Sequence, residues 1–292
     1  MTPPRVLIIA GSDSGGGAGI QADIKTVTML GGHAMTAITA ITAQNTLGVQ
    51  AVMPVPAETV LEQIDAVLSD LGADAIKIGM IGSAATSDAV AKRLESLAGI
   101  PIVFDPVMVA TSGAVLADAG TIASFERLMA VSTLVTPNLP ELEVLAGHAL
   151  ADLDDIEEAS ADLYRRFGCA VLAKGGHGSD EGITDMLVWE SGTIRQYSKR
   201  VETQHTHGTG CTLASAVATG LGAGLPLDRA VDRGVRYVHD ALLAAPGYGL
   251  GNGPIGHALA TTPYHHLKAA AEGGDWGVET WDALWSPERA RH

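Results

Sequence analysis

Short runs of apolar residues alternate along the chain with segments in which apolar residues recur every three or four positions. Continuous runs are typical of strands buried on both faces of a parallel sheet, and the spaced pattern is typical of helices that bury one face. The alternation predicts an α/β fold in which a mostly parallel sheet carries helices on both faces. The predicted strands are residues 6–10, 34–42, 75–78, 102–105, 133–136 and 169–174, and the predicted helices are residues 19–30, 57–70, 87–98, 120–130, 154–167, 210–222 and 227–244.

The pattern changes between Asp185 and Lys199, where two β-like segments follow each other without a helix. Residues 186–190 and 193–197 are joined by Ser191-Gly192, which favours an antiparallel hairpin at a sheet edge. No repeat or linker divides the chain, so residues 1–264 are expected to form one domain. Residues 265–292 contain three of the four tryptophans and are interpreted as a C-terminal tail without an assigned role.

Composition and charge narrow the functional classes. Hydrophobic residues make up 47% of the 292 residues and glycines number 35, which suits an α/β domain with many tight turns. The net charge of −15 repels phosphate backbones and anionic membranes, so neither nucleic acid nor a membrane is an expected partner. The two cysteines form no CxxC motif, and no segment resembles a signal peptide or a membrane span, so a cytoplasmic location is expected.

A glycine-rich segment follows the first predicted strand. Residues 11–19, Gly-Ser-Asp-Ser-Gly-Gly-Gly-Ala-Gly, place backbone N–H groups at the carboxyl end of that strand, where α/β proteins bind ligands. The spacing matches neither the dinucleotide fingerprint nor the P-loop. Two interpretations stay open, a loop that contacts a ligand and a tight turn with a structural role.

A second segment of small residues comes directly before an alanine-rich predicted helix. Residues 206–212, Thr-His-Gly-Thr-Gly-Cys-Thr, leave free N–H groups at a helix N-terminus, where the macrodipole favours a phosphate or another anion. Cys211 falls in the first turn, where the same field is expected to lower its thiol pKa. The alternative is that Cys211 is a small buried apolar residue.

Three polar clusters lie at the ends of further predicted strands. Asp105 precedes Pro106, Asn138 and Glu141 follow the next strand, and Lys174 ends the one after that. Structural alternatives exist, because Asp105 can cap a turn and Asn138 with Glu141 fits a capping box. Taken together, two carboxylates, a lysine and an anion hole at one sheet edge are components of Mg²⁺-assisted phosphoryl transfer.

Two more residues near strand ends fit a ring-shaped ligand. The amide of Gln44 pairs naturally with a ring that has a donor and an acceptor, although Gln44 is equally consistent with a turn. Met80 either lines a pocket or fills the core.

Seven motifs in the same order resemble the bacterial hydroxymethylpyrimidine/phosphomethylpyrimidine kinases of the ribokinase-like superfamily, over about residues 6–257. They are AGSDSGGGAGIQADIK, TAITAQNTLGV, IKIGMIG, VFDPVMVA, TPNLPELEVLAG, AKGGH and THGTGCTLASA. The resemblance implies a ribokinase-like three-layer sandwich, ATP and Mg²⁺ as cofactors, a homodimer, and phosphorylation of 4-amino-5-hydroxymethyl-2-methylpyrimidine and of its monophosphate in thiamine biosynthesis. A pyridoxal kinase and a non-catalytic domain that binds thiamine precursors remain as alternatives.

The resemblance also implies roles for single residues. The substrate pocket would use Gln44 to read the aminopyrimidine edge, lined further by Gly11, Asp23, Met80 and Val107. The cofactor site would consist of Lys174 at the nucleotide phosphates, Asp105 and Glu141 at Mg²⁺, and Asn138 beside them. The catalytic group would be the anion hole at Gly208, Thr209 and Gly210, with Cys211 as the acceptor of the hydroxyl proton. One departure is Gln204-His205, which stands where the family usually has Lys-Asn.

Overall fold

A single nine-stranded sheet organises the part of the chain that the structure, a computed structural model, describes, residues 2–175 and 182–259. Its strands are β1 (Arg5–Asp13), β2 (His33–Asn45), β3 (Gly48–Pro54), β4 (Ala75–Ile78), β5 (Ile102–Phe104), β6 (Leu134–Val135), β7 (Ala170–Ala173), β8 (Ile183–Trp189) and β9 (Gly192–Ser198). They lie in the order β3-β2-β1-β4-β5-β6-β7-β8-β9. Neighbouring strands from β2 through β1, β4, β5 and β6 to β7 pair in parallel. The strand β3 at one edge, and β8 and β9 at the other, pair antiparallel.

Helices cover both faces of the sheet. They are α1 (Gly19–Met29), α2 (Ala57–Asp70), α3 (Ala84–Leu94), α4 (Ala119–Val131), α5 (Leu139–Ala146), α6 (Leu153–Phe167), α7 (Thr209–Gly222) and α8 (Leu227–Leu243). Helices α2 to α6 share one apolar cluster with the sheet, and α1, α7 and α8 share the other. The three-layer α/β sandwich predicted from the sequence is therefore confirmed.

Strand β1, which lies between β2 and β4, shows why its sequence is a continuous apolar run. Leu7 and Ile9 point into one apolar cluster, whereas Val6 and Ile8 point into the other, and all four are fully buried. Burying side chains of this size contributes on the order of 1.5–3 kcal/mol each. A polar residue at any of these positions would lose that contribution, because neither face of β1 meets water.

Several predicted elements have the bounds that the sequence indicated. Strand β4 and helix α2 match residue for residue, and the predicted hairpin is present as β8 and β9 at a sheet edge. Strand β3 was not predicted. It forms because the Asn45 side chain accepts hydrogen bonds from the N–H groups of Leu47 and Gly48, which turns the chain back along β2.

The predicted tail at residues 265–292 and the end of the AKGGH motif, Gly176 and His177, lie outside the described residues. Among the described helices, none combines the length and apolar character that a membrane crossing requires.

Because β1, β4, β5, β6 and β7 run in parallel, the segments that follow them all emerge at one edge of the sheet. That edge is where the predicted site residues gather.

Candidate active site

Helix α7 begins with the segment predicted to hold an anion. Its N-cap is Gly208, which adopts a left-handed conformation with φ of +87° and accepts the first helical hydrogen bond from Thr212. A Cβ atom at Gly208 would overlap the carbonyl oxygen of Gly17 in the segment after β1. Only glycine fits both the backbone conformation and this contact. At the start of the helix the N–H of Thr209 donates to the carbonyl of Thr206 at 3.3 Å, and the N–H groups of Gly208 and Gly210 have no partner among the described residues.

A buried carboxylate ties the segment after β1 to the start of α7. Asp13 is 1% exposed and accepts hydrogen bonds from the backbone N–H groups of Gly15 (2.7 Å), Gly17 (3.0 Å) and Ala18 (2.7 Å). Its Oδ2 atom also lies 3.0 Å from Nε2 of His207. Burial alone would raise the pKa of Asp13, but the hydrogen bonds outweigh burial and lower it. Sequence analysis assigned no role to Asp13 or His207.

The predicted cofactor residues converge at the ends of β5, β6 and β7. Lys174 Nζ lies 2.9 Å from Asp105 Oδ1 and 4.0 Å from Glu141 Oε2, and the hydroxyl of Thr136 also donates to Asp105 Oδ1. Burial opposes the charge of Lys174, but the two carboxylates outweigh it and raise the pKa of the ammonium. Burial raises the pKa of Glu141 as well, although Lys174 opposes the shift. The arrangement keeps one cation against two carboxylates at the rim of the sheet.

Asn138 serves as the N-cap of α5. Its side chain accepts the N–H of Glu141 at 2.9 Å, and Glu141 Oε2 accepts the N–H of Asn138 at 2.8 Å. The capping box that the sequence suggested is thus confirmed, and it fixes the Glu141 carboxylate beside Lys174.

Asp185, on β8, was missed by the sequence analysis. Its buried carboxylate accepts the N–H of Gly175 at 2.8 Å, directly after Lys174. Burial raises the pKa of Asp185 despite this bond. No local motif marks it, because its importance comes from the antiparallel pairing of β8 with β7.

The carboxylates suit a magnesium ion. Asp105 Oδ2 accepts no hydrogen bond from the described residues, and it lies 3.5 Å from the point that a Cβ of Gly210 would occupy. Carboxylate oxygens are preferred Mg²⁺ ligands, and Mg²⁺ usually keeps waters and substrate phosphates as its remaining ligands. Within the described residues, no group of three or more His, Cys, Asp or Glu side chains is arranged to hold a metal ion.

The predicted substrate residues lie on the other side of the α7 start, at the ends of β1, β2 and β4. A Cβ at Gly11 would come within 2.9 Å of Met80 Sδ, so Met80 packs directly over the Gly11 backbone. Gln44 is half-buried beside Ser14, which bonds to the Gln44 backbone, and its side-chain amide has no partner among the described residues. Val107 follows β5 at the same edge.

Asp23, the remaining predicted substrate residue, is bonded to other buried side chains. Its carboxylate is fully buried, bonded to Lys77 Nζ at 2.9 and 3.0 Å and to the hydroxyl of Ser215 at 2.7 Å. Both carboxylate oxygens are engaged by these bonds, and the role of Asp23 in the substrate pocket stays a prediction.

Cys211 stands in the first turn of α7, as predicted, but the expected lowering of its pKa is wrong. Burial raises the pKa of its thiol to about 11. Lys77 and the N–H of Gly19 act in the opposite direction, while the carboxylates of Asp23 and Asp105 add to the increase. The sequence showed the helix terminus but not the two carboxylates that surround the sulfur.

The chain is similar to known proteins over most of its length. The sequence profile described as phosphomethylpyrimidine kinase matches residues 13–256. A hydroxymethylpyrimidine/phosphomethylpyrimidine kinase of Rhizobium meliloti is 48% identical over 86% of this chain and 96% of its own length. The thiamine biosynthesis bifunctional protein ThiED of Geobacter sulfurreducens is 47% identical over 87% of this chain, which spans about half (52%) of that relative's length.

Solved structures agree with the fold. The phosphomethylpyrimidine kinase of Clostridium difficile superposes with a TM-score of 0.72 at 36% identity, covering 82% of this chain and 99% of its own. The pyridoxal kinase of Staphylococcus aureus, solved with pyridoxal, superposes with a TM-score of 0.82 at 30% identity, covering 89% of this chain and 95% of its own.

The first prediction tests the glycine at the start of α7. Gly208→Ala should destabilise the protein by several kcal/mol, because it combines a left-handed backbone cost of about 1–2 kcal/mol with the overlap on Gly17. Gly99→Ala is the matched control, since Gly99 has a φ of +81° but no atom within 4 Å of its Cβ position. Urea denaturation of both variants measures the difference, and equal losses would show that the contact with Gly17 carries no cost.

Proposed function

The chain belongs to the phosphomethylpyrimidine kinase family, and from this premise we propose that it transfers the γ-phosphoryl group of ATP to 4-amino-5-hydroxymethyl-2-methylpyrimidine and then to the monophosphate. The product is the pyrimidine diphosphate used in thiamine biosynthesis. The proposal includes a cytoplasmic homodimer, to which the family resemblance points.

One observation supports the proposal most strongly. The cluster of Lys174, Asp105 and Glu141 lies beside Gly210 in the first turn of α7, and at the same sheet edge the side-chain amide of Gln44 has no partner among the described residues. A cation, two carboxylates and an anion hole serve the phosphates, and an amide serves a ring with adjacent donor and acceptor. This sheet edge therefore carries groups that suit both a phosphoryl donor and a heterocyclic alcohol.

The transfer step uses these groups in fixed roles. The substrate hydroxyl oxygen forms a bond to the γ-phosphorus, its O–H bond breaks, and the bond from that phosphorus to the leaving ADP oxygen breaks. The N–H groups of Gly208, Thr209 and Gly210 stabilise the negative charge on the transferring phosphoryl group. The Cys211 thiolate accepts the hydroxyl proton. Lys174 holds the nucleotide phosphates, and the tether between Asp13 and His207 keeps the anion hole in place.

Asp105 and Glu141 would hold Mg²⁺, with the capping box of α5 fixing Glu141. A bound Mg²⁺ neutralises charge on the phosphates. Lys174, which bonds to Asp105 in this structure, balances the charge of the two carboxylates.

Pyridoxal kinase is the second candidate, and one observation favours it. The Staphylococcus aureus pyridoxal kinase superposes more closely than the Clostridium difficile phosphomethylpyrimidine kinase, with TM-scores of 0.82 and 0.72. Sequence identity favours phosphorylation of the pyrimidine instead, because the chain is 48% identical to the Rhizobium meliloti kinase and 30% identical to the pyridoxal kinase.

The test of the proposed function is a coupled ADP-release assay on the purified protein with ATP and Mg²⁺. We expect turnover with the hydroxymethylpyrimidine and with its monophosphate. Turnover with pyridoxal and not with the pyrimidine would replace the proposal by the second candidate. Tight binding of the pyrimidine in calorimetry without turnover of either alcohol would identify a non-catalytic binding domain.

Gln44→Leu tests the pocket assignment. The change leaves the hydrogen-bonding groups of the aminopyrimidine without partners, which costs about 1–3 kcal/mol. The kcat/KM for the pyrimidine should therefore fall roughly 5- to 150-fold. The KM for ATP and the melting temperature should stay unchanged, because the Gln44 amide bonds to no described residue. Gln50→Leu, on exposed β3, is the control and should leave kcat/KM intact. A raised KM for ATP with an unchanged KM for the pyrimidine would contradict the assignment.

Cys211→Ser tests the proton acceptor. Because the thiol pKa is raised to about 11, the thiolate is a minor form at neutral pH and its fraction grows about tenfold for each pH unit up to that value. The wild-type kcat should therefore rise from pH 7 to pH 9, and the kcat of the Ser variant should not show this rise. The loss caused by the substitution should grow with pH toward the 10²–10⁴-fold typical of a positioned base.

The control for this experiment is Cys169→Ala, which removes a fully buried thiol whose pKa is raised to about 12. Its pH profile should match that of the wild type. Parallel wild-type and Cys211→Ser profiles would show that Cys211 does not accept the proton.

A further inference from the structure

Residues 253–257, which follow α8 and are termed the clamp, lie against the segment that begins α7. The backbone N–H of His207 donates to the carbonyl of Gly253 at 3.1 Å, and His207 pairs with Pro254 as an isolated parallel bridge. Pro254 also reaches the glycine-rich segment after β1, because its Cβ lies 3.1 Å from the point that a Cβ of Gly17 would occupy. The clamp therefore holds the residue directly before the predicted anion hole.

A second contact joins the clamp to the other end of the anion hole. Thr212 Oγ1 lies 3.0 Å from His257 Nε2, and the two residues are 0% and 5% exposed. The backbone N–H of Thr212 donates to the carbonyl of Gly208 at 2.9 Å, so Thr212 connects the clamp directly to the N-cap of α7. All residues of the predicted anion hole lie between the two contacts.

The imidazole of His257 is held in one orientation. The carbonyl of Ile255 accepts a hydrogen bond from the ring, and burial lowers the pKa of His257 to about 4, so the ring is neutral at neutral pH. A neutral ring that donates through Nδ1 presents Nε2 as an acceptor, and the Thr212 hydroxyl is then the donor. The clamp is itself fixed to α8, because Tyr237 donates to the His257 carbonyl at 2.5 Å and the Gly256 N–H donates to an α8 carbonyl at 2.8 Å.

Helix α7 needs such support from outside. Its N-cap is Gly208, which has no side chain that could bond to the first turn and keep it from fraying. A buried threonine in a helix can also bond to its own helix, as Thr219 does at 2.7 Å to the Ser215 carbonyl. Thr212 instead bonds to a residue 45 positions later in the chain. The bond therefore stabilises the position of the first turn relative to the rest of the fold.

We propose that His257 is a positioning residue, which acts through the Thr212 hydroxyl to keep the first turn of α7 in the geometry that stabilises the transferring phosphoryl group. The catalytic meaning of this inference rests on the proposed function. The structural part stands without it, since it concerns only how well the first turn is ordered. Misplaced N–H groups stabilise the charge of the transition state less, so the effect should appear in kcat and not in KM.

The variant Thr212→Val tests the structural part, because it removes the hydroxyl and keeps the shape of the side chain. Hydrogen–deuterium exchange of the Thr212 amide, which bonds to Gly208, should become roughly 5- to 10-fold faster. The matched control is Thr219→Val in the same helix, where the threonine is also 0% exposed but its hydroxyl bonds within α7. The control should leave exchange of the Thr212 amide unchanged.

Steady-state kinetics of the same variants test the catalytic part. With ATP and the hydroxymethylpyrimidine, Thr212→Val should lower kcat by roughly 10- to 100-fold and change both KM values less than twofold. Thr219→Val should keep the wild-type kcat, and Thr212→Ser, which retains a hydroxyl, should recover most of it. A loss of kcat that is equal in Thr212→Val and Thr212→Ser would overturn the inference, because the hydroxyl would then not matter.

A double-mutant cycle links the effect to the imidazole. His257→Leu should accelerate exchange and lower kcat as Thr212→Val does, and Thr212→Val/His257→Leu should lower kcat no further, since both changes remove one bond. Fully additive losses of kcat would show that the two side chains act separately and would overturn the inference. Faster exchange without a loss of kcat would overturn it as well.

Circular dichroism shows which variants are folded. If one single variant unfolds, the other decides alone. If Thr212→Val and His257→Leu both unfold while Thr219→Val folds, the inference is overturned, because the bond would then support the whole fold and not the first turn alone.

The two measurements also separate this inference from the proposed function. If exchange responds as expected while the wild type does not phosphorylate the pyrimidine, the clamp still orders the first turn and the proposed substrate is wrong. If the wild type phosphorylates the pyrimidine while neither exchange nor kcat responds to Thr212→Val, the proposed function stands and His257 has no role in it.

Discussion

The contact between the glycine-rich segment after β1 and the start of α7 is the constraint on which the rest of the site depends. The two segments are 194 residues apart at the bond between His207 and Asp13, yet they pack so closely that Gly208 has no room for a side chain. This contact brings the first turn of α7 to the ends of the parallel strands. The lysine and carboxylates that follow β5, β6 and β7 then lie beside Gly210, and the residues predicted to bind a ring lie at β1, β2 and β4.

Charge is concentrated beneath and around this contact, and each buried charge is compensated within the protein. Asp13 is held by three backbone N–H groups and His207, Asp23 by Lys77 and Ser215, and Asp105 by Lys174 and Thr136. In such surroundings the ionisation of any one group depends on several others. For this reason the helix terminus alone does not determine the pKa of the Cys211 thiol.

The sequence predicted the parts of this molecule that depend on local pattern. Strand β4 and helix α2 follow from apolar spacing, and Asn138 with Glu141 follows from the capping-box spacing. Interactions between distant segments could not be predicted from the sequence. Asp185 bonds to Gly175 through strand pairing, and Asp23 meets Lys77 from β4 and Ser215 from α7 only in the folded chain. The direction in which the pKa of Cys211 shifts could not be predicted for the same reason, because Asp23 and Asp105 act on the thiol only in the folded chain.

The division of helices between the two faces of the sheet also bears on the order in which the chain folds. Residues up to Ser198 contain all nine strands and the five helices of one face, but the opposite face has only α1 until α7 and α8 have been synthesised. During that interval Val103, Leu134 and Leu172 lack the α7 and α8 side chains that share their apolar cluster in the complete fold. Ribosome-bound or truncated chains that lack α7 and α8 therefore present the kind of surface that chaperones bind and that promotes aggregation.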